Sequence, residues 1–360
     1  MVFASYRQAT EATRGGKARS TVIVAAAASG LVAVGLILWL LVSGPVAPPQ
    51  VSVALAVKPP APPPATEAPA GGDADSSGLT EQTANGLVPV AATDGRTARK
   101  VYARPFDPAD KRPRIAVIID GLGASATAAD AAIRTLPPGV TLGFLPYWKP
   151  VGQWVNLARA GGHEVVMDLP MEPLDAAHDD PGPAGLRNAL DPAANTQRLE
   201  WIMAQATGYV GLVGYQGGRF SGEPSVMQPV LKTIARRGLL YVDNRASAQS
   251  VSGSVAGEVG LQFALITRQL DADPSRDAVA RTLVELEAAA RHDGSAIGLA
   301  SATPSVVDMV AAWVGTLGNE GIALAPVSAV AAIPPTQATL NPKVVASDAG
   351  GGSAGDADKR

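Results

Sequence analysis

Between 112 and about 333 the chain alternates short apolar runs with amphipathic stretches. The runs at 114–119 (RIAVII), 140–145 (VTLGFL), 164–169 (EVVMDL), 209–213 (YVGLV), 239–242 (LLYV), 261–266 (LQFALI), 296–300 (AIGLA) and 322–325 (IALA) are mostly apolar throughout, which predicts strands buried on both faces. Helices are predicted between them. Over 195–206, Leu199, Ile202, Met203 and Ala206 share one face; over 224–237, Val226, Val230 and Ile234 do so, with Gly238 as the stop. Two further helices fall at 275–291, with Val279, Leu283, Leu286 and Ala290 in line before Gly294, and at 304–317, with Val306, Val310, Val314 and Leu317. Strand and helix in alternation predict parallel βα units, closed as a barrel or open as a doubly wound sheet. Periodicity does not choose between the two.

The flanks have a different texture. No charge occurs from 21 to 42, a length that crosses a bilayer core of about 30 Å and exceeds the apolar region of a cleaved signal peptide. Arg7, Arg14, Lys17 and Arg19 precede it and the next basic residue is Lys58, so the positive-inside rule predicts a single-pass inner-membrane protein with an extracytoplasmic, periplasmic C-terminal part. The expected organisation is a cytoplasmic basic segment (1–20), a transmembrane helix (21–42), a disordered Pro/Ala/Gly-rich linker (43–111), a folded domain (112–333) and a disordered tail (334–360).

Composition narrows the chemistry. Charged residues make up 17% of the 360 and the net charge is −3, so there is no basic field for nucleic acid. The absence of cysteine excludes disulfides, a thiol nucleophile and Cys-ligated metal, and only His163, His178 and His292 could supply imidazole. No glycine-rich phosphate loop opens any helix. Most predicted strands end in a polar or turn-forming residue, among them Asp120, Asp168, Asp243, Asn244 and Ser301, and the carboxyl end of a parallel sheet is where ligands bind.

The ordered motifs RPRIAVIIDGLG, VTLGFLPY, GGHEVVMDLPMEPLD, DPGPAGL, VGLVGYQGGRF, RRGLLYVDNRAS and GSAIGLASATPS resemble the divergent polysaccharide deacetylase family. The resemblance implies a distorted seven-stranded (β/α) barrel and a carbohydrate-related role in the cell envelope. It also implies metal-activated water attacking an acetamide, but the ligand positions depart from the pattern. Gly121 stands where a second acid follows the first, Asp168 replaces a histidine, Val213, Gly214 and Tyr215 replace Asn-Asn-His, and Ser301 to Pro304 replace His-Pro-His-Pro.

Asp120, Glu172, Arg219, Asp243 and Arg245 match the family pattern. Asp120 and Asp243 are the candidate catalytic residues; Asp168, Glu172, Tyr215, Arg219 and Arg245 are the candidate substrate-binding residues, with Tyr147 and Trp148 as apolar platforms for pyranose rings. The bland alternative is a buried Asp243–Arg245 ion pair bracing the mouth. No metal or other cofactor is expected, the alternative being a hard cation on Asp120, Asp168 and Asp243. The expected function is a membrane-anchored protein that binds an envelope polysaccharide or envelope protein with metal-dependent catalysis lost. A carboxylate-based or hard-cation hydrolase and a structural scaffold are the alternatives.

Overall fold

The computed structural model describes residues 78–335. They begin inside the expected linker with a hairpin, β1 (Thr80–Thr83) and β2 (Gly86–Pro89), followed by the short helix α1 (Ala98–Val101). Thr83 pairs with Gly86 across Ala84 and Asn85, and Gly86, just after the turn, takes a positive φ of 120° that a glycine adopts without the cost of a Cβ. Leu79 and Val88 are fully buried, and the guanidinium of Arg237 ties the hairpin down through Glu81, the Pro89 carbonyl and Glu200.

The main sheet is built from β3 (Arg114–Leu122), β4 (Thr141–Phe144), β5 (Val165–Met171), β6 (Gly211–Gln216), β7 (Leu240–Asp243), β8 (Phe263–Leu265), β9 (Arg268–Gln269), β10 (Ser295–Ser301) and β11 (Ala323–Leu324). Helices α2 (Ala126–Thr135), α3 (Val151–Ala160), α4 (Pro192–Met203), α5 (Pro224–Arg236), α6 (Ser252–Val259), α7 (Arg276–Asp293) and α8 (Pro304–Val314) lie between the strands. Asp191 and Ser125 cap α4 and α2 by accepting main-chain N–H groups, and Gly294 ends α7 at a positive φ of 81°.

All pairings in the main sheet are parallel, in the order β8-β7-β6-β5-β4-β3-β10-β9, with β11 beside the start of β3. Side chains alternate between two cores. Ile115, Val117, Ile119, Leu142, Phe144, Val165, Met167 and Tyr241 pack against the helices. Ala116, Ile118, Val166, Val213, Leu240, Val242, Ile297 and Leu299 form a second cluster on the other face, around which the sheet curves as a half-barrel.

Two expectations are corrected here. In place of a regular seven-stranded barrel behind a transmembrane helix, the strand ladder is a curved sheet whose two ends, β8 and β9, are only three and two residues long and are joined through Ile266 and Thr267 of one short stretch. The membrane anchor expected at 21–42 lies outside the described residues. Among the described residues no helix is long and apolar enough to cross a membrane, and the longest, α7, carries Arg276, Asp277, Arg281, Glu285, Glu287 and Arg291. Membrane anchoring, an inner-membrane location and a membrane partner are therefore not features of the described fold.

Candidate functional site

Strand alternation decides which acids meet. Asp120 follows Ala116 and Ile118 in register, and Asp168 follows Val166, so both point to the concave core, whereas Asp243 shares the register of Tyr241 and belongs to the helix side. Gly143 on β4, between them, makes room: a Cβ there would lie 2.7 Å from Asp168 Oδ1 and 3.1 Å from the Cβ of Asp120. The pairing of β3 with β4 shifts register between Ile119 and Leu122, a bulge in which Gly121 takes a φ of 73°. The bulge aims the Gly121 N–H at Asp168 Oδ2, 2.9 Å away. Asp168 is fully buried and its Oδ1 has no hydrogen-bond partner in the protein.

Both acids resist ionisation. Burial, and then the charge of Asp271, pushes the Asp120 carboxyl up to about 7; burial and the charge of Asp120 push Asp168 well above the usual carboxylate range. Asp271, in the turn after β9, accepts hydrogen bonds from Gln269 Nε2 at 2.7 Å and from the Ser301 N–H at 2.9 Å. Tyr215 at the end of β6 is half-buried, and its hydroxyl is raised by burial and by the charges of Asp168, Asp120 and Asp179.

The other predicted residues make contacts of their own on the loops after β5, β6 and β7. Glu172 Oε2 accepts the Asn188 N–H at 2.7 Å, while its Oε1 lies 3.7 Å from the Arg219 guanidinium. The Glu172 carbonyl also accepts the N–H groups of Arg219 and Phe220, so this residue joins the loops after β5 and β6. Asp243 spends both oxygens on its own loop, accepting the Arg245 N–H at 2.7 Å and the Ser250 hydroxyl at 2.6 Å. The Arg245 side chain is exposed and makes no ion pair with Asp243, so the bracing pair does not form; its main chain is held at a φ of 55° instead. Trp148 and Leu174 are exposed on the loops after β4 and β5, and the Tyr147 hydroxyl donates to the Pro181 carbonyl at 2.6 Å.

Residues 117–331 match the divergent polysaccharide deacetylase family. The chain belongs to that family. An uncharacterized protein, ATU2773, from Agrobacterium tumefaciens C58 is similar in structure, with 38% identity and a TM-score of 0.66 over 68% of this chain and 99% of that one. Two uncharacterized relatives are each 24% identical: one from Haemophilus influenzae over 58% of this chain and 73% of its own length, and YibQ from Escherichia coli K12 over 66% and 73%.

Within the divergent polysaccharide deacetylase family this chain has the character of a pseudoenzyme. A catalytic zinc takes about three N, S or carboxylate ligands. Here Tyr215 and Ser301 stand at two positions where the family motif has histidine, and both oxygens of Asp243 are occupied by its own loop. Among the described residues no group of three or more His, Asp or Glu side chains is placed to hold a metal ion. The residues present do not fit the family's zinc. The histidines are elsewhere: His163 is buried with its ring nitrogens 2.9 Å from the Val140 carbonyl and 3.2 Å from the Ile133 carbonyl, and His178 and His292 pair on the surface with Asp175 and Asp293.

Sequence reasoning missed Asp271, Gly143 and Ser250. Counting register from Ala116 and Val166 separates Asp243 from Asp120 and Asp168 and marks Gly143 as the gap. Nothing in the sequence marks Asp271, which follows a strand of two residues.

Proposed function

We propose that this chain binds an N-acetylated, hydroxyl-rich polysaccharide at the carboxyl end of its sheet, without metal-dependent deacetylation. The observation that carries this is the Asp120–Asp168 pair. With Asp120 near 7 and Asp168 held well above the usual carboxylate range by burial and by the Asp120 charge, the pair retains a proton at neutral pH, so Asp120 at the rim can donate to or accept from a sugar hydroxyl. Tyr215 and the exposed Trp148 supply faces for pyranose rings, and Glu172 with Arg219 supplies polar contacts on the neighbouring loops. Asp243 and Arg245 shape the loop beside the mouth. The test is calorimetric titration of the full chain with N,N′,N″,N‴-tetraacetylchitotetraose. Tyr215→Ala and Asp120→Ala should each weaken binding by about tenfold, the loss of roughly one good contact, and unchanged affinity in both would sink the proposal.

A second reading is favoured by the same carboxyl. An acid near 7 is matched to general acid or base work at neutral pH. Acetate release from the tetrasaccharide, abolished by Asp120→Asn, would establish a carboxylate-based hydrolase in place of the binding function.

A further inference from the structure

A second concave site lies away from the acids, between the β1–β2 hairpin and helices α3 and α4. It has a volume of about 650 Å³, within the range of roughly 300–1,000 Å³ usual for small-molecule pockets. Trp201 forms one wall. It is half-buried, and its ring packs against Tyr147 with centroids 5.9 Å apart and planes tilted by 30°. Gln153 and Asn156, three residues apart on α3, are exposed toward solvent on the same side of that helix. The hairpin turn brings Asn85 to the cavity, and the turn is seated by Gly86, where an added Cβ would lie 3.6 Å from Ala204 at the end of α4. Gln205 Nε2 donates to the Trp201 carbonyl at 2.7 Å, which leaves its Oε1 as an acceptor. Among the described residues that line it, Lys149 is the one cationic residue and none is acidic.

This lining is selective in kind. Amides both donate and accept, which matches hydroxyl and acetamide groups, and an indole offers its face to the C–H side of a pyranose ring. A cationic ligand would meet Lys149 with no acid to balance it, so a deacetylated amino sugar is disfavoured. We infer that the cavity between the β1–β2 hairpin and helices α3 and α4 is a second saccharide site that takes a neutral, acetamido- or hydroxyl-bearing sugar unit. The choice of sugar as ligand rests on the binding function proposed above, and the site deepens it: Tyr147, whose ring supports Trp201, donates through its hydroxyl to the 172–191 loop, which starts four residues after Asp168. The hairpin is then a wall of a binding site.

The experiment follows the indole N–H signals of the full chain in NMR during titration with tetraacetylchitotetraose, with Trp201 assigned through Trp201→Phe and Trp148 through Trp148→Phe. The Trp201 signal should move, and Gln153→Ala with Asn156→Ala should weaken the titration of that signal by at least about tenfold. Both substituted residues are exposed, so the fold tolerates their loss. Movement of Trp148 with Trp201 unmoved overturns this inference and leaves the strand-end site standing. Movement of Trp201 that the double variant abolishes, with Trp148 unmoved, supports the cavity and overturns the strand-end site. A Trp201 titration unchanged by the double variant overturns the inference, and neither signal moving overturns both.

Discussion

The carboxyl of Asp168 accepts the main-chain N–H of Gly121 at 2.9 Å. A glycine therefore stands where the family motif carries a second acid, and its N–H holds one oxygen of the acid that replaces a motif histidine. Gly121 has open space around the position of a Cβ but a φ of 73°, so a side chain could be housed there only with backbone strain of about 1 kcal/mol.

Zinc affinity should follow from this replacement. The unmodified chain should carry no stoichiometric zinc by elemental analysis, and EDTA should leave its melting temperature unchanged. Tyr215→His alone should change neither result, because one imidazole still leaves the site short of ligands. Stoichiometric zinc in the unmodified chain would contradict the pseudoenzyme assignment.

Stability should fall as pH rises through neutrality. Asp120 has a folded value of about 7 against an ordinary 3.8, so between these values the folded state holds a proton that the unfolded state has released. Its stabilising contribution is full below about pH 4 and is lost as pH rises through 7, and Asp168 and Glu164, both raised by burial, act in the same direction. His163 acts oppositely: burial lowers it, so its contribution is lost as pH falls below the ordinary 6.5. Thermal melts should show the fold more stable at pH 5.5 than at pH 8.5, by an amount on the order of a few kcal/mol. Asp120→Asn should flatten that slope, and an unaltered slope would show that Asp120 is not buried in its acid form.

Gly143→Ala should destabilise the fold by roughly 1–3 kcal/mol in denaturant titration, since its methyl would sit 2.7 Å from Asp168 Oδ1 in a packed sheet. The penalty is specific to the acid pair. Asp168→Ala in the same chain should recover part of it in a double-mutant cycle, and strict additivity would mean that the methyl disturbs something else.

Arg237→Ala should release the hairpin. The guanidinium is nearly buried and holds Glu81, Glu200 and the Pro89 carbonyl at once, so its loss should cost about 2 kcal/mol. Limited proteolysis should then cut within 78–90 before any site in the main sheet.

The central strands were legible because runs such as 115–119 are apolar on both faces, and the helices over 224–236 and 276–293 because their apolar periods end in glycine. The hairpin was not. Its strands have four residues each and bury only Val88 and Pro89, with Leu79 just before them, too little to impose a period on a Pro- and Ala-rich stretch. Helix α2 was hidden for a related reason: its buried positions are mainly alanine, which marks a face weakly. For the site, Asp120 and Asp168 were found by their place at strand ends, but their separation from Asp243 is a matter of register. Raised carboxyl values depend on burial and on Asp271, which lies far along the chain.

The strand order places β8 and β9 at the two ends of the sheet, yet they are neighbours in the chain, separated only by Ile266 and Thr267. The N–H of Ile266 is given to Asp243 on one side and that of Thr267 to Ile297 on the other, each at or below 3.1 Å. A single short stretch thus closes off both margins at which another chain could add by β-pairing. What remains unpaired there is only two or three residues long, too little to template a cross-β stack, so when this protein aggregates on heating it should do so after the sheet has opened and not by edge-to-edge growth of folded molecules.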